Sequence, residues 1–169
     1  MQALELAERL ETSEWTLRRL SALGTLRTAW RKSGRRPLAS GEGEWLARHW
    51  ELLSHLRGAL RTEPSVKGAW IFGSVAKGTD LPDSDLDLVV DFKTDDQMMV
   101  RALRGRLEAK VGRKIDLFLM DDLESEPDAL LYLLEAARPV LDRTGWWARL
   151  PEHKRALRAR VVRRWGGNA

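Results

Sequence analysis

Residues 69–78, Ala69-Trp70-Ile71-Phe72-Gly73-Ser74-Val75-Ala76-Lys77-Gly78, and residues 84–90, Ser84-Asp85-Leu86-Asp87-Leu88-Val89-Val90, between them decide the fold of this chain. The first begins as a short apolar run that reads as a buried strand, turns at Gly73-Ser74 and can start a helix over 74–78. The second alternates Leu86, Leu88 and Val90 with Asp85, Asp87 and Asp91, the pattern of a half-buried strand with acids on its second face. Side chains two apart on a strand project to the same side, so Asp85 and Asp87 converge as paired hard oxygen ligands suited to magnesium. Two close carboxylates repel unless a cation lies between them. Gly73 lets a backbone come close, and Ser74 opens a helix whose free N–H groups and positive dipole end suit a phosphate. Asp116, in Lys114-Ile115-Asp116-Leu117-Phe118, lies on a further apolar strand and reaches the pair if the two strands are neighbours. A phosphate cradle beside paired carboxylates points to a metal-bound nucleotide.

In this order the segment resembles the nucleotidyltransferase superfamily that includes DNA polymerase beta, and especially its minimal bacterial members of antitoxin type. Their pattern is Gly-Ser, Ala, a basic residue, Gly, then Ser-Asp-x-Asp-Leu, and the likeness covers roughly residues 66–142. The resemblance implies an α+β fold with a mixed β-sheet flanked by helices. It implies that Gly73 and Ser74 hold the triphosphate, with Ser84 beside them, that Asp85 and Asp87 bind Mg2+, and that Asp116 is the third acid. Lys77 stands where these proteins more often carry Arg, which keeps the charge but loses the planar fork, so its role is the lesser one. The implied reaction is in-line attack of an acceptor hydroxyl on the α-phosphate of a nucleoside triphosphate, ATP in the first place, with pyrophosphate leaving. Two metal ions about 4 Å apart would clamp the phosphates, and Asp116 would accept the hydroxyl proton.

Working outward, 169 residues predict one domain or two small ones, and 43% hydrophobic residues with 13 glycines predict a buried core. No stretch approaches a membrane span, and Met1 to Leu10 carries Glu5, Glu8 and Arg9 where a secretory signal would be apolar, so a soluble, cytoplasmic protein without membrane contact is expected. The absence of cysteine removes disulfides, thiolate nucleophiles and cysteine zinc sites, and His49, His55 and His153 are scattered. Any metal must sit mainly on carboxylates. The net charge of +4 conceals a segregation: +4 over residues 1–62, −7 over 63–142 and +7 over 143–169. An acidic middle between basic ends suits a cation site in the centre and polyanion-facing surfaces outside it.

Before the central segment, residues 2–11 read as a short amphipathic helix, and Thr12 or Ser13 can cap a second one that carries Leu17 and Leu20 and stops at Gly24. Leu26, Thr28 and Trp30 alternate like a strand, Arg31 to Arg36 form a basic turn, Pro37-Leu38 can return as an edge strand, and Ser40 can cap a longer helix bearing Leu46, Trp50, Leu53, Leu56 and Leu60. Helix, helix, hairpin, helix is the order of a winged helix-turn-helix. Thr62-Glu63-Pro64-Ser65 reads as a linker, giving domains at 1–62 and 66–169. Residues 4–20 resemble the helix-turn-helix of bacterial regulators, departing at Glu11, where such motifs often have Gly. Trp15, Arg18 and Arg19 would then face a major groove, with Arg31, Lys32, Arg35 and Arg36 along phosphates, although Trp15 can equally pack under the hairpin. Downstream, Thr94 to Gln97 fits a capping box opening a helix to about Lys110. A strand over 114–120, a helix started by Ser125 and Pro127, a last strand at Val140-Leu141 and a basic helix over 146–164 follow, with Trp146 and Trp147 packing that helix.

The whole chain resembles bacterial proteins that join a winged helix to a minimal nucleotidyltransferase, several of them associated with toxin–antitoxin or defence loci. The likeness implies AMP transfer to a protein partner such as a toxin, with DNA bound through residues 1–62. Antibiotic-modifying relatives carry an added helical domain, whereas about 27 residues follow Asp142 here, so a macromolecular acceptor is expected. The alternative is a DNA-binding regulator or antitoxin whose nucleotidyltransferase fold binds nucleotide without turnover.

Overall fold

A computed structural model describes residues 3–29, 37–94 and 96–166. Among the described residues the first elements are the helices α1 (Ala3–Arg9), α2 (Glu14–Leu23) and α3 (Glu42–Arg61). Then come β1 (Gly68–Ile71), α4 (Gly73–Lys77), β2 (Leu86–Asp91), α5 (Gln97–Val111), β3 (Ile115–Leu119), α6 (Met120–Glu124), α7 (Pro127–Ala136) and β4 (Arg138–Asp142). A 3-10 turn at Trp147–Arg149 leads into α8 (Leu150–Gly166). The architecture is mixed α+β. The four strands form one sheet in the order β3-β2-β1-β4, parallel between β2 and β3 and antiparallel elsewhere.

Strand alternation sorts the sheet's side chains into two apolar layers. Ala69, Ile71, Leu86, Leu88, Val90, Ile115 and Leu119 point into a core shared with Leu46, Leu53, Leu56 and Leu60 of α3 and Leu103 and Leu107 of α5. That core continues without a break to Leu6, Leu17 and Leu20 of the first two helices. On the other face Trp70, Phe72 and Val89 meet Leu130 and Leu134 of α7 and Leu157 of α8. Trp146 stacks on His153 at 4.4 Å and meets Trp70 edge-on at 5.2 Å, so Trp146 packs the last helix as expected. Among the described residues no helix is long and apolar enough to cross a membrane.

Local chemistry explains most element ends. Ser13 caps α2 by accepting the Thr16 N–H at 3.2 Å, and Gly24 closes it at φ +92. At the turn between α1 and α2, Glu11 adopts φ +49, the left-handed conformation a glycine would take with less strain. Two expected caps move. Ser40 does not cap α3; Gly41, at φ +80, occupies that position and leaves α3 without a side-chain cap. Asp96 rather than Thr94 caps α5, accepting the Met98 N–H at 2.8 Å, while the Thr94 hydroxyl accepts the Asp96 N–H. The first expected strand shifts back by one residue, because Phe72 leaves the ladder to cap α4, and the terminal helix begins only after the 3-10 turn. The short α6 follows β3 directly and has no distinct sequence signal. Of the expected hairpin, the described residues show a bridge between Thr28 and Leu38. Trp30 and the basic turn with Arg31, Lys32, Arg35 and Arg36 lie outside the described residues.

Candidate functional site

The register of the sheet brings the sequence-derived acids together. Asp87 on β2 stands directly opposite Asp116 on the parallel strand β3, so both carboxylates rise from the same sheet face. Asp85 precedes β2 by one residue on the exposed approach to the strand. Asp87 is half-buried and its carboxyl is pushed above the ordinary range, first by burial and then by the negative charges of Asp116 and Asp85. The three acids therefore share one electrostatic neighbourhood.

Gly73 closes the site from the strand–helix turn. It holds φ +64, and a Cβ at this position would lie 1.9 Å from Asp87 Oδ2, so only a glycine lets the turn pass against this carboxylate. The start of α4 thus lies against the Asp87 carboxylate, with first-turn N–H groups that lack intrahelical partners. Three carboxylates beside such a turn are the hard oxygen donors that magnesium takes, and a cation would relieve the repulsion that raises Asp87. Among the described residues no three His, Cys, Asp or Glu side chains already stand close enough to hold an ion between them. The donor set still fits a divalent cation whose coordination is completed by substrate phosphates and water, the manner in which magnesium is usually held.

The remaining expected residues are placed less centrally. Lys77 extends its ammonium to 5.7 Å from the Tyr132 ring on α7. The Ser84 hydroxyl accepts the Leu81 N–H at 2.8 Å, and its carbonyl accepts from Arg113 Nε, so this residue shapes the turn that delivers Asp85. Far from this site, Trp15 is 63% exposed, Arg18 pairs with Glu14 at 3.0 Å, and the Arg19 guanidinium lies 4.6 Å from the Trp15 ring centre.

Two buried networks that no local sequence signal reveals hold the site in shape. Asp80, only 4% exposed, fixes the loop between α4 and β2: it accepts from His49 Nε2 at 2.9 Å and from both terminal nitrogens of Arg113 at 3.2 and 3.3 Å, with Arg48 at 3.6 Å. Burial pushes its carboxyl up, but the hydrogen bond and charge of His49, with Arg113 and Arg48, outweigh that and hold it below the ordinary carboxylate range. The second network anchors α4. Arg138 of β4 donates to Glu42 through two nitrogens at 2.6 and 2.8 Å, stacks 3.7 Å over Trp45, and sends Nε to the Ala76 carbonyl at 2.7 Å. Trp45 Nε1 donates to the Val75 carbonyl at 2.8 Å. Helix α3 therefore grips the end of α4 directly through Trp45 and indirectly through the hold of Glu42 on Arg138.

The sequence profile of the family described as Polymerase beta, Nucleotidyltransferase matches residues 55–141, just over half of the 169. The chain belongs to this family. No curated protein sequence matches it. Among solved structures, a crystal structure of a toxin–antitoxin with AMP-PNP is similar with a TM-score of 0.54 at 15% identity, the match covering 68% of this chain and 93% of that one. A mutant of the toxin–antitoxin MntA-HpeT is similar with a TM-score of 0.52 at 12% identity, covering 68% and 93%. At such identities the likeness is one of fold: this chain has a nucleotidyltransferase-type fold like that of MntA.

Proposed function

We propose that this chain transfers a nucleoside monophosphate, AMP from ATP in the first place, to a hydroxyl of a macromolecular acceptor such as the protein partner of a toxin–antitoxin pair. The observation that carries the reading is Asp87 facing Asp116 across adjacent parallel strands while Gly73 packs against the Asp87 carboxylate. Family membership supports the reaction class, and the similar fold found in a toxin–antitoxin with AMP-PNP supports both the nucleotide and a protein partner.

In this reading Asp85, Asp87 and Asp116 hold magnesium, which when bound neutralises phosphate charge and favours departure of pyrophosphate. The Gly73–Ser74 backbone turns its N–H groups to the triphosphate oxygens, while Trp45 and Arg138 keep that turn from moving by fixing its far carbonyls. The acceptor oxygen forms a bond to the α-phosphorus as the bond from that phosphorus to the bridging oxygen breaks, and pyrophosphate leaves with the electron pair. Asp116, the more exposed of the facing pair, takes the hydroxyl proton. Residues 1–62 form, on this proposal, a winged-helix-like module that binds nucleic acid or the partner, with residues 66–169 as the transferase domain.

Calorimetric titration of ATP, with GTP and CTP beside it, tests the site. Binding is expected to require magnesium and to vanish in the Asp85→Asn/Asp87→Asn variant, after which α-labelled ATP identifies the labelled acceptor. Nucleotide binding without any labelled product across candidate acceptors would favour a non-catalytic nucleotide sensor. No binding by the parent chain would sink the proposal.

A further inference from the structure

On the flank of α2 and α3 lies a cleft of about 170 Å3 that the transferase reading does not use, lined by Trp15, Arg19, Trp50, Arg57 and Arg61 with Leu53 as its apolar floor. Its chemistry is one-sided: three guanidiniums, two indoles and no carboxylate. Among the described residues no salt bridge reaches Arg19, Arg57 or Arg61, whereas Arg18, on the next position of α2, is paired with Glu14. Burial, and then the charges of Arg61 and Arg19, push the half-buried Arg57 guanidinium below its ordinary value, so the cluster is held together by the fold against its own repulsion. An anion in the cleft would relieve that repulsion. The cleft is lined by residues of α2 and α3 alone and includes none of Asp85, Asp87 and Asp116, so it is not the aspartate site.

We infer that this cleft binds single-stranded nucleic acid, seating one base against the Trp15–Arg19 pair and the adjoining phosphates on Arg57 and Arg61. The inference rests on the nucleic-acid reading of residues 1–62 and is independent of nucleotidyl transfer. Size and shape select the single strand. An engineered cavity of about 150 Å3 accepts a benzene ring, so a cleft of about 170 Å3 takes one flat ring and not a helix. In a duplex the bases are stacked inward and the readable edges lie in a groove that admits a projecting helix, whereas a splayed base of a single strand enters a concave slot and stacks on an aromatic or a guanidinium plane. Trp15 is exposed enough to be such a platform, with Arg19 already lying over its ring. Arg57 and Arg61, one helical turn apart on α3, add the charge that follows a phosphate backbone.

Fluorescence anisotropy of a labelled oligo(dT) of about twelve nucleotides, within the span of a single-strand site, tests the inference on the full chain. A duplex of the same length and polyglutamate serve as competitors. The oligonucleotide is expected to bind, and the Arg57→Gln/Arg61→Gln variant to bind at least about tenfold more weakly with a salt slope shallower by roughly 1.4, because two phosphates no longer meet a cation. Trp15→Leu is expected to weaken binding by roughly five- to a hundredfold, the cost of one stacked base, with the salt slope unchanged. Parallel thermal unfolding shows that the variants fold, and the Arg57→Lys variant, which keeps charge without the fork, should fall between parent and double variant. Three results would overturn it: parent-like binding by the arginine variant, a duplex bound as tightly as the single strand, or displacement by polyglutamate at equal charge. A chain that binds neither strand nor duplex, yet still binds ATP with magnesium, removes the nucleic-acid reading of the module altogether and leaves the transfer reaction standing.

Discussion

Asp80, in the loop before β2, and Asp87, on β2, are seven residues apart, and the fold treats them in opposite ways. Asp80 is the more deeply buried, yet His49, Arg113 and Arg48 surround it with donors and hold it charged. Asp87 is less buried, yet it faces Asp116 and the Gly73 turn with no salt bridge among the described residues, and its charge is disfavoured. The first acid stabilises the loop, and the second is left with an unfavourable charge that, under the proposed function, a bound cation would offset. A residue's environment, more than its type, therefore separates an acid whose charge is stabilised from one whose charge is disfavoured.

The largest expected effect breaks the built side of that contrast. Asp80→Ala leaves His49 and Arg113 facing each other without their shared acceptor, and loss of one partner of a buried charged network costs about 3–5 kcal/mol. For a chain of this size that lowers Tm by roughly 6–20 °C, read by calorimetry or circular dichroism. A Tm unchanged from the parent would mean that the two acids do not differ as described.

A smaller effect of opposite sign sharpens the other side. Asp87→Asn removes a repelled charge from beside Asp116 and should raise the stability of the chain without magnesium, although solvent screening holds the gain below about 1 kcal/mol. The same variant should lose magnesium-dependent nucleotide binding. A variant that is both less stable and unable to bind would place Asp87 among the structural acids.

The smallest effect is the pH dependence, and its sign differs between the two. The stability contributed by Asp80 is present above the ordinary carboxylate range and is lost as pH falls through its lowered value. The destabilisation from Asp87 is present above its raised value and disappears as pH falls to the ordinary range. Equilibrium unfolding of parent and Asp87→Asn should accordingly differ most at neutral pH and converge on mild acidification, before the Asp80 network gives way.

Much of the aspartate site was legible in the chain because its signals are local. A glycine at a strand end, two acids with one residue between them and a third acid within an apolar run each follow from the period of a strand or the freedom of a glycine. The nucleic-acid candidates Trp15, Arg18 and Arg19 were legible as an outward helix face, but not their division of labour: Arg18 is spent on Glu14, while Arg19 joins Trp15 at a cleft. Ser40 and Thr94 carried good capping chemistry and lost to neighbours one and two residues on, where Gly41 could take positive φ and Asp96 could reach the Met98 N–H.

By itself the sequence determined the order of the sheet strands and of the longer helices, the two faces of each strand and the acids that lie on one of them, since these depend on residues within a few positions of one another. Only the tertiary structure decided that β2 and β3 run side by side in register, so that Asp116 meets Asp87. Only it decided that Glu42 meets Arg138 across 96 residues, and that His49 and Arg113 converge on Asp80 from 31 and 33 residues away. A charged residue in a chain looks the same whether it will lie in water or be buried in a pair. What separates the two fates is desolvation, which exists only once the helices have closed over it.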